Sequence, residues 1–274
     1  MPVKKILLLV LCLVLANLVQ PVRAQFTYGT TGLLQMPTAD MQRDKTFMAG
    51  AGYLKKEVTP TRWNYDTFNY YINITIFPFL EIGYTCTLHK ALKNDLIYGD
   101  NYWLPSTYGK FVNQDRNFSV RLRIWKEGWW KPWTPQVVIG GNDVLGNSWT
   151  GGSLSSNSSS SRNGFYNRYY LAVTKHFDFE HIGELGAHLA YVYNRRADYR
   201  LNGPCAGANF RFSLPPTNFA RKALNGLNLM AEYDSRTINI GAEYSFWKDY
   251  INAVVEFNQL KYFSGGIVFK VHLK

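Results

Sequence analysis

The sequence predicts an all-β protein: a transmembrane antiparallel β-barrel of about twelve strands, wound as an up-and-down meander. Three observations carry the prediction. Apolar and polar residues alternate with a period of two along twelve successive segments, which is the signature of strands with one apolar and one mixed-polar face. Long connections alternate with short ones, and an even strand number gathers the long ones at one end if both termini lie at the other. Tryptophans collect at strand ends and turns: Trp125, Trp129, Trp130, Trp133 and Trp247 at one end, Trp63, Trp103 and Trp149 at the other. Rings with a polar edge favour the headgroup level of a membrane.

The first two dozen of the 274 residues stand apart. Lys4 and Lys5 precede an unbroken apolar run from Ile6 to Ala16, and Val22-Arg23-Ala24 ends in a small residue suited to signal peptidase. Residues 1–24 read as a secretory signal, cleaved after Ala24. Cys12 lies within the apolar run and lacks the small residues that precede a lipid-modified cysteine. The formal net charge is +11, of which Lys4, Lys5 and Arg23 belong to the signal. On an exported protein the remaining basic balance points to acidic lipid or polysaccharide rather than to nucleic acid. No later run reaches the roughly 18 apolar residues of a membrane helix, so any crossing must use strands. Cys86 and Cys205 read as two separate thiols. No cysteine or histidine spacing suits zinc, and no metal or cofactor is expected.

Residues 25–45 form a structured loop rich in glycine and small polar residues, expected as a periplasmic or plug segment ahead of a barrel over 46–274. Phe47, Ala49, Ala51 and Tyr53 open the alternation, and Phe68, Tyr70, Ile72, Ile74 and Ile76 continue it to the turn at Phe77-Pro78-Phe79. Ile82, Tyr84, Cys86 and Leu88 form the third apolar face, and Phe118, Val120, Leu122 and Ile124 the fourth. Alternation is poor in Val137 to Gly141, and the Gly-Ser-rich stretch 147–164 is a solvated loop. Tyr169, Leu171 and Val173 belong to the sixth segment, Leu185 to Tyr193 to the seventh, and Ala206 to Phe212 to the eighth. A short helix is expected within 214–225. Four further segments follow over Leu227–Tyr233, Ile238–Phe246, Ile251–Phe257 and Ile267–Leu273. In hydrocarbon only a closed sheet satisfies every backbone group. A soluble exported β-sandwich is the competing architecture.

Gly29-Thr30-Thr31-Gly32-Leu33-Leu34-Gln35-Met36-Pro37-Thr38-Ala39, followed by Asp44-Lys45-Thr46-Phe47, resembles the opening of the YjbH-like family. Its members begin with Gly-x-x-Gly-Leu-(Leu/Ile)-x-x-Pro-(Thr/Ser)-Ala and a first strand soon after. Gly226 to Asp234 also looks like that family's Glu-Tyr-Asp hairpin. The resemblance implies a barrel in the outer membrane of a Gram-negative bacterium, associated with exopolysaccharide or capsule production. The chain departs from the many members that are much longer and from those with a lipobox, which suggests a minimal barrel version.

If the apolar faces meet lipid, the opposite faces define a lumen. Glu81, Glu232, Glu243 and Glu256 point into it, as do Arg121, Arg123, Arg168, Arg211 and Lys270. The acids gather on segments nine to eleven and the bases on four to eight, facing each other across a closed barrel. Either these charges pair and plug the interior, since a buried charge needs a partner, or they line a wet, polarised channel for an ionic or sugar-like solute. His89, His176 and His188 also point inward, near Thr85 and Thr174. A barrel lipase would need its nucleophile and His on the lipid-facing wall, where no such pair stands. Glu232 and Glu243 read as charge partners rather than as a glycosidase pair. The loop residues Trp63, Tyr65, Tyr98, Tyr102, Trp103, Tyr108 and Trp149 either stack on sugar rings or anchor the loops. Trp63, Trp103, Tyr108 and Trp149 are the candidate glycan contacts.

The expected role is therefore non-catalytic support of exopolysaccharide or capsule export or surface assembly. The alternative is a general outer-membrane pore or a structural subunit of an outer-membrane complex. Outer-membrane lipid is the expected partner, with polysaccharide and other outer-membrane or periplasmic proteins as further candidates.

Overall fold

The computed structural model describes residues 24–25, 27–59, 64–93, 104–144, 166–194, 201–247 and 249–273. A two-residue ladder pairs β1 (Ala24–Gln25) with β2 (Thr30–Thr31). Twelve strands then form one closed barrel. They are β3 (Thr46–Leu54), β4 (Thr67–Phe77), β5 (Leu80–Lys90), β6 (Phe111–Trp125), β7 (Gln136–Asn142) and β8 (Arg168–Phe179). The wall continues through β9 (Gly183–Tyr193), β10 (Gly203–Phe212), β11 (Leu227–Tyr233), β12 (Ile238–Phe246), β13 (Ile251–Asn258) and β14 (Tyr262–His272). Each pairs antiparallel with the next, and β14 closes onto β3 from Gly265↔Tyr53 to His272↔Thr46.

The period-two pattern fixes two faces on each strand. Phe68, Tyr70 and Ile72 on β4 and Ile267, Phe269 and Val271 on β14 are exposed. Asn69, Asn73 and Thr75 of β4 and Ser264 and Lys270 of β14 are buried. Apolar side chains cover the outside, and the inward faces carry most of the wall's polar side chains together with a smaller apolar cluster around the N-terminal segment. The up-and-down topology sets the strand ends from which the connections after β3, β5, β7, β9, β11 and β13 leave at one side of the barrel, the long-loop end. Turns 78–79, 126–135, 180–182, 213–226 and 247–250 stand at the other, the short-turn end.

β6 and β14 begin earlier than their reading in the sequence, β14 at Tyr262 rather than Ile267. β6 starts at Phe111 rather than near Phe118, because the ladder with β5 runs on through Cys86↔Arg116 and Leu88↔Gln114. Polar residues on both faces hide this extension. The poorly alternating Val137 to Gly141 lies in β7, where Gly140 faces Tyr170 of β8. A Cβ on Gly140 would stand 2.5 Å from the Tyr170 hydroxyl, so the neighbouring ring occupies the space of the missing side chain. Gly50 and Tyr71 repeat the device across β3 and β4. In the turn between β10 and β11, α1 (Phe219–Leu224) is capped by Asn218, whose Oδ1 accepts from Arg221 N at 2.9 Å.

Candidate functional site

The lumen is occupied by the chain's own N-terminal segment. Every residue from Thr27 to Gln42 is buried. A peptide that is neither helix nor sheet and lies away from water must find partners for its backbone groups, and the inward-facing charges of the wall supply them. At the tight turn bridged by Gly32 and Pro37, Glu232 of β11 accepts from three successive amides. Leu34 N donates to its Oε2 at 2.9 Å and Gln35 N to its Oε1 at 2.7 Å. Met36 N is shared between the two oxygens at 3.1 and 3.2 Å. Glu256 of β13 accepts from the Gln35 side-chain amide at 2.6 Å. Small wall residues make room for the same turn. A Cβ on Gly207 would stand 2.6 Å from both Leu33 Cδ1 and Met36 Sδ, and one on Gly241 2.7 Å from Leu34 Cδ2.

Across the lumen the polarity of the contacts reverses. Arg168 of β8 donates through Nη1 to the Gln35 carbonyl at 2.6 Å and through Nη2 to Gln25 Oε1 at 2.9 Å. Its guanidinium also lies 3.5 Å over the Tyr28 ring. Arg121 of β6 donates through Nη2 to the carbonyls of Thr38 and Asp40 at 2.6 and 2.8 Å. Its Nη1 pairs at 2.7 Å with Glu81 of β5, both side chains being fully buried. Glu81 in turn accepts from Thr31 N and Thr31 Oγ1, each at 2.7 Å.

Toward the short-turn end the segment is latched by uncharged groups and histidines. Ala39 N donates to Thr174 Oγ1 at 2.9 Å, and Thr174 shares a hydrogen bond with His188 Nδ1 at 2.9 Å. Asp40 Oδ1 accepts from Gln136 Nε2 at 2.8 Å and lies 3.2 Å from His176 Nε2. The other nitrogen of His176 meets Glu127, in the β6–β7 turn, at 2.7 Å, and Lys175 Nζ reaches the same carboxylate at 2.7 Å. Burial opposes ionisation of Glu127, yet hydrogen bonds from His176 and Lys175 outweigh it and hold the carboxyl below its ordinary range.

The structure places Glu81, Arg121, Arg168, Glu232, Glu243, Glu256 and Lys270 inside the barrel, all buried. Lys270 Nζ lies 2.9 Å from Asp249 and 3.8 Å from Glu243. Arg123 and Arg211 stand half-buried near the short-turn mouth instead of among the plug contacts. Among the described residues Arg121 and Arg168 do not make the pairing with Glu232 or Glu256 across the lumen that one of the two readings expected. Arg121 and Glu81 are neighbours on adjacent strands, and Glu232 and Glu256 each turn carboxylate oxygens to the plug. Asp40, Gln35, Gln136 and Asn73 also belong to the site and carry no distinctive sequence signal, being ordinary polar residues in a strand or loop.

His89 meets the Tyr65 hydroxyl at 3.4 Å. Tyr108 is exposed on its loop, whereas Trp63, Trp103, Trp149, Tyr98 and Tyr102 lie outside the described residues. Cys86 and Cys205 are free and buried. Among the described residues no group of three or more histidine, cysteine or acidic side chains is placed to hold a metal ion.

A family model described as "Exopolysaccharide biosynthesis protein YbjH" matches residues 24–191, a span that takes in the plug and the wall from β3 into β9. The uncharacterized lipoprotein YjbH of Escherichia coli (strain K12) is 30% identical over 127 residues, 45% of this chain. The aligned part covers 15% of that relative's length. With more than half of its residues matched, plug and wall together, the chain belongs to the YjbH family of exopolysaccharide biosynthesis proteins.

Proposed function

We propose that the chain is a self-plugged barrel of the Gram-negative outer membrane, exported through an N-terminal signal peptide. In this reading it takes a non-catalytic part in the export or surface assembly of an exopolysaccharide. The observation that carries the reading is the reversed wall: exposed Phe, Ile, Leu and Tyr on the strands' outer faces around a buried polar interior. A hydrocarbon surrounding makes that arrangement favourable on a closed sheet, which supports the membrane placement. The family supplies the exopolysaccharide connection. A non-catalytic role is supported by the engagement of the carboxylates and histidines that could serve chemistry. Glu232 is occupied by three plug amides, and His188 is held between Thr174 and Asn209.

Two measurements test the reading. The protein is expected in the outer-membrane fraction, with an unheated electrophoretic band that shifts on boiling; recovery in the soluble fraction with one mobility would overturn the membrane placement. Deletion of the gene in a producing strain is expected to lower secreted polysaccharide without changing its linkage composition. Planar bilayers separate this reading from a general pore, because the plugged barrel is expected to show no steady current and a pore would.

A further inference from the structure

The outward face of the wall carries a cation with no carboxylate partner among the described residues. On β6 the buried Asp115 and Asn117 flank Arg116, which is exposed and therefore points away from the lumen. Its Nε and Nη2 both donate to Gln114 Oε1, at 3.0 and 2.8 Å. That contact leaves both Nη1 hydrogens and the second Nη2 hydrogen for another acceptor, and one hydrogen on each Nη points in parallel with the other. Arg116 has no carboxylate partner among the described residues. Lys175, which shares the outward parity in β8, differs in being paired with Glu127 at 2.7 Å.

The surroundings of Arg116 are graded. Toward the middle of the wall come Tyr84 and Phe118, whose rings are 5.2 Å apart. Toward the long-loop end, four residues beyond Cys86, the strand partner of Arg116, stands Lys90. Its ammonium lies 5.3 Å from the centre of the Tyr65 ring and 5.1 Å from that of Phe111. At about 3.3 Å per residue the two cations are on the order of 13 Å apart along the wall. Phe68, Phe111 and Val112 continue the apolar face past Arg116, and its guanidinium leans toward that end onto Gln114, as a long cationic side chain does when it reaches from an apolar belt to headgroup level. A guanidinium with two parallel donors left is suited to a tetrahedral oxyanion.

We propose that Arg116, supported by Lys90, binds the phosphate of an anionic membrane lipid in the leaflet at the long-loop end. The inference rests on the membrane reading above and adds a specific lipid contact to it. Apolar outer walls bind lipid chains without regard to headgroup; this site selects the headgroup.

The test uses the full chain purified in a neutral detergent and titrated by native mass spectrometry with phosphatidic acid or phosphatidylcholine of the same acyl chains. Wild type is expected to retain phosphatidic acid in preference to phosphatidylcholine. R116Q is expected to weaken the phosphatidic acid complex about tenfold, the equivalent of one charge-assisted contact. K90Q, a milder change at the rim, is expected to weaken it less, and K126Q at the short-turn end to leave it unchanged. Equal retention of both lipids by wild type, or undiminished selectivity in both R116Q and K90Q, would overturn the proposal. So would displacement of the lipid by equimolar inorganic phosphate, which would make this a free-anion site. The heat-modifiable band of each variant is read alongside. Its absence from wild type would defeat the membrane reading, whereas its persistence without lipid selectivity would defeat the lipid site alone.

Discussion

On the β5–β8 side of the lumen, Arg121 and Arg168 donate to the plug's carbonyls at Thr38, Asp40 and Gln35. On the β11–β13 side, Glu232 and Glu256 accept from the amides of Leu34, Gln35 and Met36 and from the Gln35 side chain. The two sides hold one peptide by its two kinds of backbone group. On the arginine side Arg121 also has a charge partner in Glu81 beside it, whereas Glu232 has only the uncharged Asn239 of the wall besides the plug amides. The lumen charges are thus complementary to a peptide backbone more than to each other. Loss of the plug would leave the acidic side more exposed electrostatically than the basic one.

That asymmetry can be broken from either side. R121A should have the largest effect, because it strands the buried Glu81 carboxylate and two plug carbonyls together; about 3–5 kcal/mol is expected. The temperature at which the compact electrophoretic form is lost would report it. The paired replacement E81M/R121M should be milder than R121A alone, and an equal or larger loss would show that the pair itself, not the stranded charge, matters. E232A should follow at about 1.5–3 kcal/mol, with faster hydrogen exchange confined to Leu34, Gln35 and Met36. Exchange rising equally throughout the wall would contradict local release of the turn. Gly207→Val drives a side chain into Leu33 and Met36 of the plug, and overpacking of this kind costs about 1–3 kcal/mol. Chymotryptic cleavage near Leu33 and Leu34 is expected to appear in that variant.

The smallest effect lies outside the lumen. Asp66, in the loop before β4, feels burial that opposes its charge. Hydrogen bonds from Lys55 and Tyr53 and from the backbone amide of Lys56 nevertheless hold its pKa down to about 2. A carboxylate depressed in the folded state stabilises fully above its unfolded value near 3.8, and that contribution is lost as pH falls toward 2. Because this Lys55–Asp66 pair, at 2.8 Å, is partly exposed, D66N should remove only about 0.2–1 kcal/mol at neutral pH. Its stability should also depend less on pH between 4 and 2 than wild type does.

The strands and their faces were legible because a period of two survives single-sequence reading wherever one face is uniformly apolar. Ile238 to Phe246 and Ile251 to Phe257 show this most cleanly. The start of β6 was not, because Gln114 and Arg116 put polar residues on the outward face as well. Parity also sorted the inward charges, but it says nothing of depth. Arg123 and Arg211 share the face of Arg121 yet sit near the mouth. Nor could parity name the partners of Glu232. A run such as Leu33-Leu34-Gln35-Met36 offers no charge to pair with; what it offers is three backbone amides, and these are present in every sequence.

The residues that hold the plug are far from it along the chain. Thr31 meets Glu81 across 50 positions, Leu34 meets Glu232 across 198, and Gln35 meets Glu256 across 221. The plug's holders therefore belong to two separate parts of the wall, β5 and β6 nearer to it in the chain and β11 and β13 far from it. The plug then acts as a gauge of completion: its turn becomes protected only in a barrel that has received its last third.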